Sequence, residues 1–119
     1  MTVLLVIAGA VVGAPMRFLV DRWARDRFAH GPILGTLVVN VAGSFVLGAA
    51  AGWPRGPGWL LPLVGVGFCG ALTTFSTLAF ETWAFLEERA WGPFAANLAL
   101  SLGLGLPAVW LGWALATAL

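Results

Sequence analysis

Apolar residues run along this chain in four long stretches, separated by short connections that are polar or rich in proline and glycine. A helix that crosses a bilayer needs about 20 predominantly apolar residues, and each of the four stretches is long enough. The pattern therefore predicts four membrane-spanning helices, at about 2–22, 33–53, 60–87 and 91–118. These spans use nearly all of the chain, so we expect residues 1–119 to form a single transmembrane domain.

The third stretch differs from the others because small and hydroxyl-bearing residues interrupt it. Residues 65–81 read GVGFCGALTTFSTLAFE, in which four hydroxyl residues follow Gly70 and a carboxylate stands at Glu81. Hydroxyl side chains bond back to the preceding turn, and glycine weakens a helix. Non-helical backbone is tolerated at membrane depth only where it is buried in protein or lines a wet cavity. The stretch therefore predicts a helix broken near mid-membrane, and with it a site on an ion path.

Polar residues also recur at helical spacing in the second and fourth spans. Thr36, Asn40 and Ser44 are four residues apart and share one face of the second span. Asn97 and Ser101 repeat this spacing in the last span. An amide in hydrocarbon is costly without a partner, and it marks either a contact between helices or a pathway. Both interpretations of Asn40 stay open at this point.

The first span carries a glycine face that ends in an arginine. Gly9, Gly13 and Arg17 are spaced four apart, so they lie on one side of the helix. The glycines form a groove that lets another helix approach closely. Arg17 then either extends to the membrane interface, as long basic side chains do, or faces an anion or another structural partner in a vestibule.

Composition indicates a membrane protein, and the lack of a catalytic constellation argues against an enzyme. The chain is 61% hydrophobic and 9% charged, with a mean hydropathy of +0.96, which is more apolar surface than a soluble domain of this length can bury. We therefore expect a multi-pass protein of the cell's inner (plasma) membrane, with the lipid bilayer as a partner. The net charge of +1 gives no indication of nucleic acid, and Cys69 is the only cysteine. The sequence shows no metal-ligand cluster, no nucleophile beside a histidine and no phosphate loop.

The polar side chains inside the spans are mostly neutral hydrogen-bond donors, which replace the hydration shell of an anion. Phe75 adds a ring whose edge is positive and can contact a small anion. Carbonyls released at the break, around Gly70 and Thr73, suit a hard monovalent cation, as in the broken helices of sodium-coupled carriers. One chain of four spans can hardly surround both features. The sequence therefore predicts a homodimer.

Two segments resemble the signature of a known family. Residues 35–48 read GTLVVNVAGSFVLG and residues 67–77 read GFCGALTTFST, which is similar to the CrcB/Fluc fluoride channels. The spacing of Gly13 and Arg17 and the pair in the last span agree with this resemblance. It implies an all-α, antiparallel, dual-topology homodimer with four transmembrane helices per subunit, the third of them broken. It also implies a passive fluoride-selective channel, or exporter, that lowers cytoplasmic fluoride and holds a structural sodium ion at the dimer centre.

The resemblance also implies a role for individual residues of this chain. The sodium ligands are the backbone carbonyls of Gly70 and Thr73. Where the family usually has a second pore aromatic, in TTFSTF, this chain departs from the pattern with Leu78. The resemblance implies a fluoride pore lined by Asn40, Phe75, Ser76, Thr77, Ser101 and Glu81. It places Arg17 in a vestibule.

Two other functions are compatible with four spans. A small multidrug-type proton-coupled antiporter needs an acidic residue deep in the first span, and here the first carboxylate is Asp21. A structural membrane protein would use its polar residues only to hold helices together. Substitution of Asn40 and Phe75 separates this last class from a channel, because only a channel then loses ion flux while it still assembles.

The arginines of the connections are distributed unevenly. With both termini on one side, Arg22, Arg25, Arg27 and Arg89 fall on the opposite side, and Arg55 falls on the side of the termini. The positive-inside rule then predicts termini outside the cell. Insertion in both orientations, which the resemblance implies, is not explained by this rule.

Overall fold

A computed structural model describes residues 1–119 of the chain, apart from the side chain of Pro32, and its described residues form helices and no strands. Four helical spans are long and apolar enough to cross a membrane, and the third of them is divided into α3 and α4. This confirms the all-helical membrane fold with a broken third helix. The helices are α1 (Thr2–Arg27), α2 (Gly31–Gly52), α3 (Leu61–Cys69 with π-type hydrogen bonding, continued by the α-helical turn Gly70–Leu72), α4 (Phe75–Glu87) and α5 (Trp91–Thr117).

Helix α1 packs against α3 through the glycine face of the first span. Gly9 and Gly13 are both buried, and a Cβ atom at either position would meet the backbone of α3, at the carbonyl oxygens of Leu63 and Phe68. Small residues let two helix backbones approach closely inside a membrane. The glycine face therefore positions the first half of the third span.

Helices α2 and α5 meet through a second glycine contact, which is reciprocal. A Cβ at Gly48 would meet the carbonyl oxygen of Val109, and a Cβ at Gly112 would meet that of Phe45. The same small-residue packing thus joins the last span to the second. Because α2 also contacts α1, α3 and α4, it is the central helix of the subunit.

The break in the third span consists of two residues in extended conformation, Thr73 (φ −80°, ψ 159°) and Thr74 (φ −148°, ψ 111°). The Thr73 hydroxyl donates to the Cys69 carbonyl oxygen at 2.8 Å, so it bonds back to the end of α3. The Thr74 hydroxyl oxygen accepts the Thr77 backbone N–H at 3.2 Å and caps the start of α4. The two neighbouring hydroxyls thus end one helix and begin the next, as such side chains do when they compete with helical hydrogen bonds.

Candidate functional site

Asn40 on α2 holds the extended backbone at the break. Its Oδ1 accepts the Thr74 N–H at 2.8 Å, and its Nδ2 donates to the Thr74 carbonyl oxygen at 3.2 Å. One side-chain amide therefore satisfies both backbone groups of a residue that belongs to no helix. An unsatisfied backbone group costs several kcal/mol in a bilayer core, where no water can replace the missing partner. The Asn40 amide therefore supplies the hydrogen-bond partners that the backbone loses where the third span is interrupted.

A cavity of about 560 Å³ lies on one side of the break, between α2, α3, α4 and α5, and we call it the Phe75 cavity. The Phe75 ring is 82% exposed, so the subunit itself leaves most of this ring uncovered. The predicted site residues that line the Phe75 cavity are Asn40, Gly70, Thr73, Phe75, Leu78 and Ser101.

A second cavity, of about 340 Å³, lies on the other side of the break, between α1, α2 and the start of α4, and we call it the Arg17 cavity. The Arg17 side chain reaches the break, where its Nη1 donates to the Thr73 carbonyl oxygen at 3.3 Å. The sequence left two positions open for Arg17, at the membrane interface or facing a partner in a vestibule. In the structure the side chain contacts protein and lines a cavity, which favours the second. Polar and charged residues that line the Arg17 cavity are Arg17, Asp21, Arg25, Thr36, Thr74, Ser76 and Thr77.

Hydroxyl groups are close together at the start of α4, beside the Arg17 cavity. The Thr74 hydroxyl donates to the Thr77 Oγ1 at 2.9 Å and lies 3.2 Å from the Ser76 Oγ. Further along α4, Glu81 Oε1 accepts the Thr36 hydroxyl at 2.8 Å. The other oxygen of this carboxylate is buried and has no hydrogen-bond partner among the described residues. Glu81 is thus linked to the wall of the Arg17 cavity through Thr36.

The structure separates the predicted site residues into two groups rather than one. The break separates the two groups, because Thr73 lines the Phe75 cavity and Thr74 lines the Arg17 cavity. Asn40 contacts the backbone of the break itself. Phe75 and Ser76 are neighbours in sequence, but they line different cavities because adjacent side chains on α4 point about 100° apart around the helix.

The carbonyl groups of Gly70 and Thr73 are suited to a cation. In a continuous helix the Gly70 carbonyl oxygen would accept the Thr74 N–H, but here that N–H donates to Asn40. Gly70 is exposed, and nothing lies within 4 Å of where its Cβ would be. The Thr73 oxygen accepts one bond from Arg17, which leaves its second lone pair. Unwound backbone carbonyls of this kind fit a hard monovalent cation.

The sequence indicated the polar residues of the last span but not their partners. Asn97 is 5% exposed, and its Nδ2 donates to the Thr82 hydroxyl at 3.1 Å, whereas Ser101 lines the Phe75 cavity. The Thr82 hydroxyl in turn donates to the Leu78 carbonyl oxygen at 2.7 Å. The pair spaced by four residues therefore has two functions: Asn97 holds α5 against α4, and Ser101 contributes a hydroxyl to the cavity.

Comparison with known proteins identifies the family of this chain. Residues 4–113 match the family described as CrcB-like protein, Camphor Resistance (CrcB). The chain is 44% identical over 106 residues to Fluoride-specific ion channel FluC 1 of Nocardia farcinica, covering 89% of this chain and 74% of the relative. It is 44% identical over 110 residues to FluC 1 of Geobacillus kaustophilus, with 92% and 93% covered. It is 38% identical over 110 residues to FluC of Vibrio cholerae, with 88% and 86% covered. This chain, a multi-pass membrane protein, therefore belongs to the CrcB family, a family of ion channels and not of enzymes.

Proposed function

We propose that this protein is a passive fluoride-selective channel of the plasma membrane, which lowers cytoplasmic fluoride and works as a pair of inverted subunits. The observation that carries the proposal is the Asn40–Thr74 contact, which stabilises the break in the third span at a point where a cavity lies on either side. The relatives that share up to 45% of its residues are named fluoride-specific ion channels, which supports the same ion for this chain.

The Phe75 cavity offers fluoride the contacts that a small desolvated anion requires. The Asn40 Nδ2 carries two hydrogens and uses one on Thr74, so one N–H remains for the ion. Ser101 adds a hydroxyl, and the exposed Phe75 ring offers its positive edge. The Ser44 hydroxyl is less suitable, because its hydrogen is donated to the Asn40 carbonyl oxygen at 2.6 Å.

Beyond the break, the path continues along the hydroxyls of α4. Ser76 and Thr77 line the Arg17 cavity, and Thr36 connects the same wall to Glu81. Arg17 supplies a positive charge beside these neutral donors. The ion therefore moves between hydroxyl groups and reaches water at a cavity whose basic side chain favours an anion.

The direction of transport follows from the membrane potential and needs no second substrate. Neutral hydrogen fluoride crosses a bilayer, and the anion is trapped where the pH is higher. A negative interior then drives the anion outward with about 2.3 kcal/mol per 100 mV. The first carboxylate of α1 is Asp21, near the end of the helix, so the first span has no deep acidic residue to carry a proton.

A second copy in inverted orientation completes both the path and a cation site. Gly70 and Phe75 are exposed on the single subunit, although they lie in the middle of a span. An inverted partner places its own break against this surface and covers the open side of the Phe75 cavity. The carbonyls of Gly70 and Thr73 from both copies then hold a structural sodium ion, whose positive charge stabilises the carbonyl ends of the two α3 helices.

Fluoride efflux from proteoliposomes tests the channel directly. With an ionophore that lets potassium leave as the counter-ion, the protein should release internal fluoride rapidly without any pH gradient, and chloride far more slowly. A passive anion pathway needs only this charge compensation. A requirement for a pH gradient, or export of organic cations, would show a proton-coupled antiporter instead.

Sodium binding is tested separately by thermal melting of protein that is purified without sodium. A ligand that binds only the folded pair raises the melting temperature as its concentration rises. We expect sodium chloride to raise the melting temperature and to favour the dimer in size-exclusion chromatography, with potassium chloride at equal ionic strength as the control. Identical melting curves in the two salts would exclude a sodium-selective site.

A further inference from the structure

The Arg17 cavity is lined by three charged side chains, two of which form an ion pair with each other. Arg25 Nε donates to Asp21 Oδ2 at 2.9 Å, and both residues line the cavity with Arg17. Arg17 itself contacts the uncharged carbonyl oxygen of Thr73. Among the residues that line the cavity, one arginine therefore forms an ion pair with a carboxylate and the other contacts a neutral carbonyl group.

The ion pair between Asp21 and Arg25 is not required to hold the fold together. The two residues lie one turn apart on α1, and their side chains are 36% and 60% exposed. Exposed pairs at this spacing add little to stability, because solvent screens them and the side chains lose freedom. The carboxylate contacts the cavity where an anion would pass, and its charge is of the sign that repels this anion. The Asp21 carboxylate therefore contributes little to the stability of the fold, and its main effect is on the electrostatic potential that an anion meets in the cavity.

We infer that Asp21 and Arg25 set the positive potential of the Arg17 cavity and so control how fast fluoride enters the path. The inference rests on the proposed channel function and adds two residues that the family resemblance did not indicate. A cleft with walls of low dielectric constant concentrates the field of its charges and changes the local concentration of an ion. One unit charge at about 8 Å, acting through water, changes the local concentration of a monovalent anion about twofold.

The electrostatic role predicts effects of opposite sign for the two members of the pair. Asp21→Asn removes the negative charge and should raise the fluoride flux at low ionic strength about two- to threefold. Arg25→Gln leaves Asp21 uncompensated and should lower the flux by a similar factor. The double variant restores the original charge of the cavity and should return close to the wild-type flux. A merely structural ion pair predicts a loss in both single variants, and no recovery in the double variant.

The experiment measures initial fluoride efflux from proteoliposomes at subsaturating fluoride, at two ionic strengths adjusted with potassium gluconate. The Debye length is about 30 Å at 0.01 M and about 3 Å at 1 M, so the differences should be present at the lower value and absent at the higher one. Asp26→Asn is the matched control. It makes the same change of charge on α1 but lies about 140° around the helix from Asp21 and does not line the cavity, so its effect should be clearly smaller.

Each result decides for or against the inference. Opposite effects of the single variants that disappear in high salt, with recovery in the double variant, support it. Effects of the same sign, effects that persist in high salt, or an Asp26→Asn change as large as that of Asp21→Asn overturn it. The proposed function fails in a different way, because the wild-type protein would then show no selective fluoride efflux under any salt condition.

Discussion

Substitution of Asn40 by alanine should reduce fluoride efflux by about 100-fold or more, the largest effect that we expect of any single side chain. The change leaves both the N–H and the carbonyl group of Thr74 without their partner, and Thr74 is only 7% exposed. An unsatisfied buried group costs about 1–3 kcal/mol, so two of them at a middle value of about 4 kcal/mol together lower the population of the interrupted helix by two to three orders of magnitude. The variant also removes the free amide hydrogen from the Phe75 cavity. Efflux from proteoliposomes measures the loss.

Ser44→Ala is the control for this variant. Ser44 lies one turn from Asn40 and lines the same cavity, but its hydroxyl bonds only to the backbone of its own helix, so its removal leaves the break intact. We expect efflux within a few-fold of wild type and a dimer of normal size for Ser44→Ala, and size-exclusion chromatography shows how much of the Asn40→Ala protein is still a dimer. Unchanged efflux of a well-assembled Asn40→Ala protein would contradict the role of this contact and favour the structural alternative.

The broken third span could be predicted from sequence because part of its cause is local. Thr73 and Thr74 end one helix and begin the next through bonds to residues within four positions, Cys69 and Thr77. A hydroxyl run after a glycine in an apolar stretch is enough to indicate such a competition with helical hydrogen bonding. The glycine face of the first span is predictable for the same reason, since a spacing of four residues specifies one side of a helix.

The partners of the polar side chains could not be predicted, because they lie on other helices. Asn40 binds a residue 34 positions away, and Thr36 binds one 45 positions away. Helical spacing determines which residues share a face, but the rotation and height of one helix against another depend on packing along its whole length. Asn97 and Ser101 illustrate this limit, because the same spacing leads to a contact between helices for one and to a cavity for the other.

The resemblance to the CrcB family supplied a list of site residues but not their arrangement. The list gives Phe75 and Ser76 the same role, and the structure places them on opposite sides of the break. It also omits Asp21 and Arg25, which line the Arg17 cavity. From the sequence alone, these two residues belong to an ordinary solvated helix end. Only the structure shows that α2 and α4 lie beside them and form a cavity.

Substitution of Phe75 by isoleucine should lower fluoride efflux by about 30-fold while the dimer remains stable. The ring is 82% exposed in the subunit, so an aliphatic side chain of similar polarity creates no cavity within the subunit, and the elution volume of the dimer checks the contact with the partner. What is lost is the electrostatic contact between the ring edge and the anion. Cations over the face of a ring gain about 2 kcal/mol when desolvated, and an anion contact of the same size at the ring edge corresponds to about 30-fold in rate. Leu78 lines the same cavity without a ring and provides no substitute for this contact.

Phe80→Ile separates this effect from a general effect of replacing a phenylalanine on α4. Phe80 is 72% exposed, it lies about 140° around the helix from Phe75, and it is not among the residues that line the Phe75 cavity. Efflux should therefore stay close to wild type, and both variants should elute as dimers in size-exclusion chromatography. Equal losses in the two variants would mean that the rings stabilise the subunit contact or the lipid contact. A normal flux in Phe75→Ile would mean that the ion does not pass the ring, and the path would then have to follow the hydroxyls of the Arg17 cavity alone.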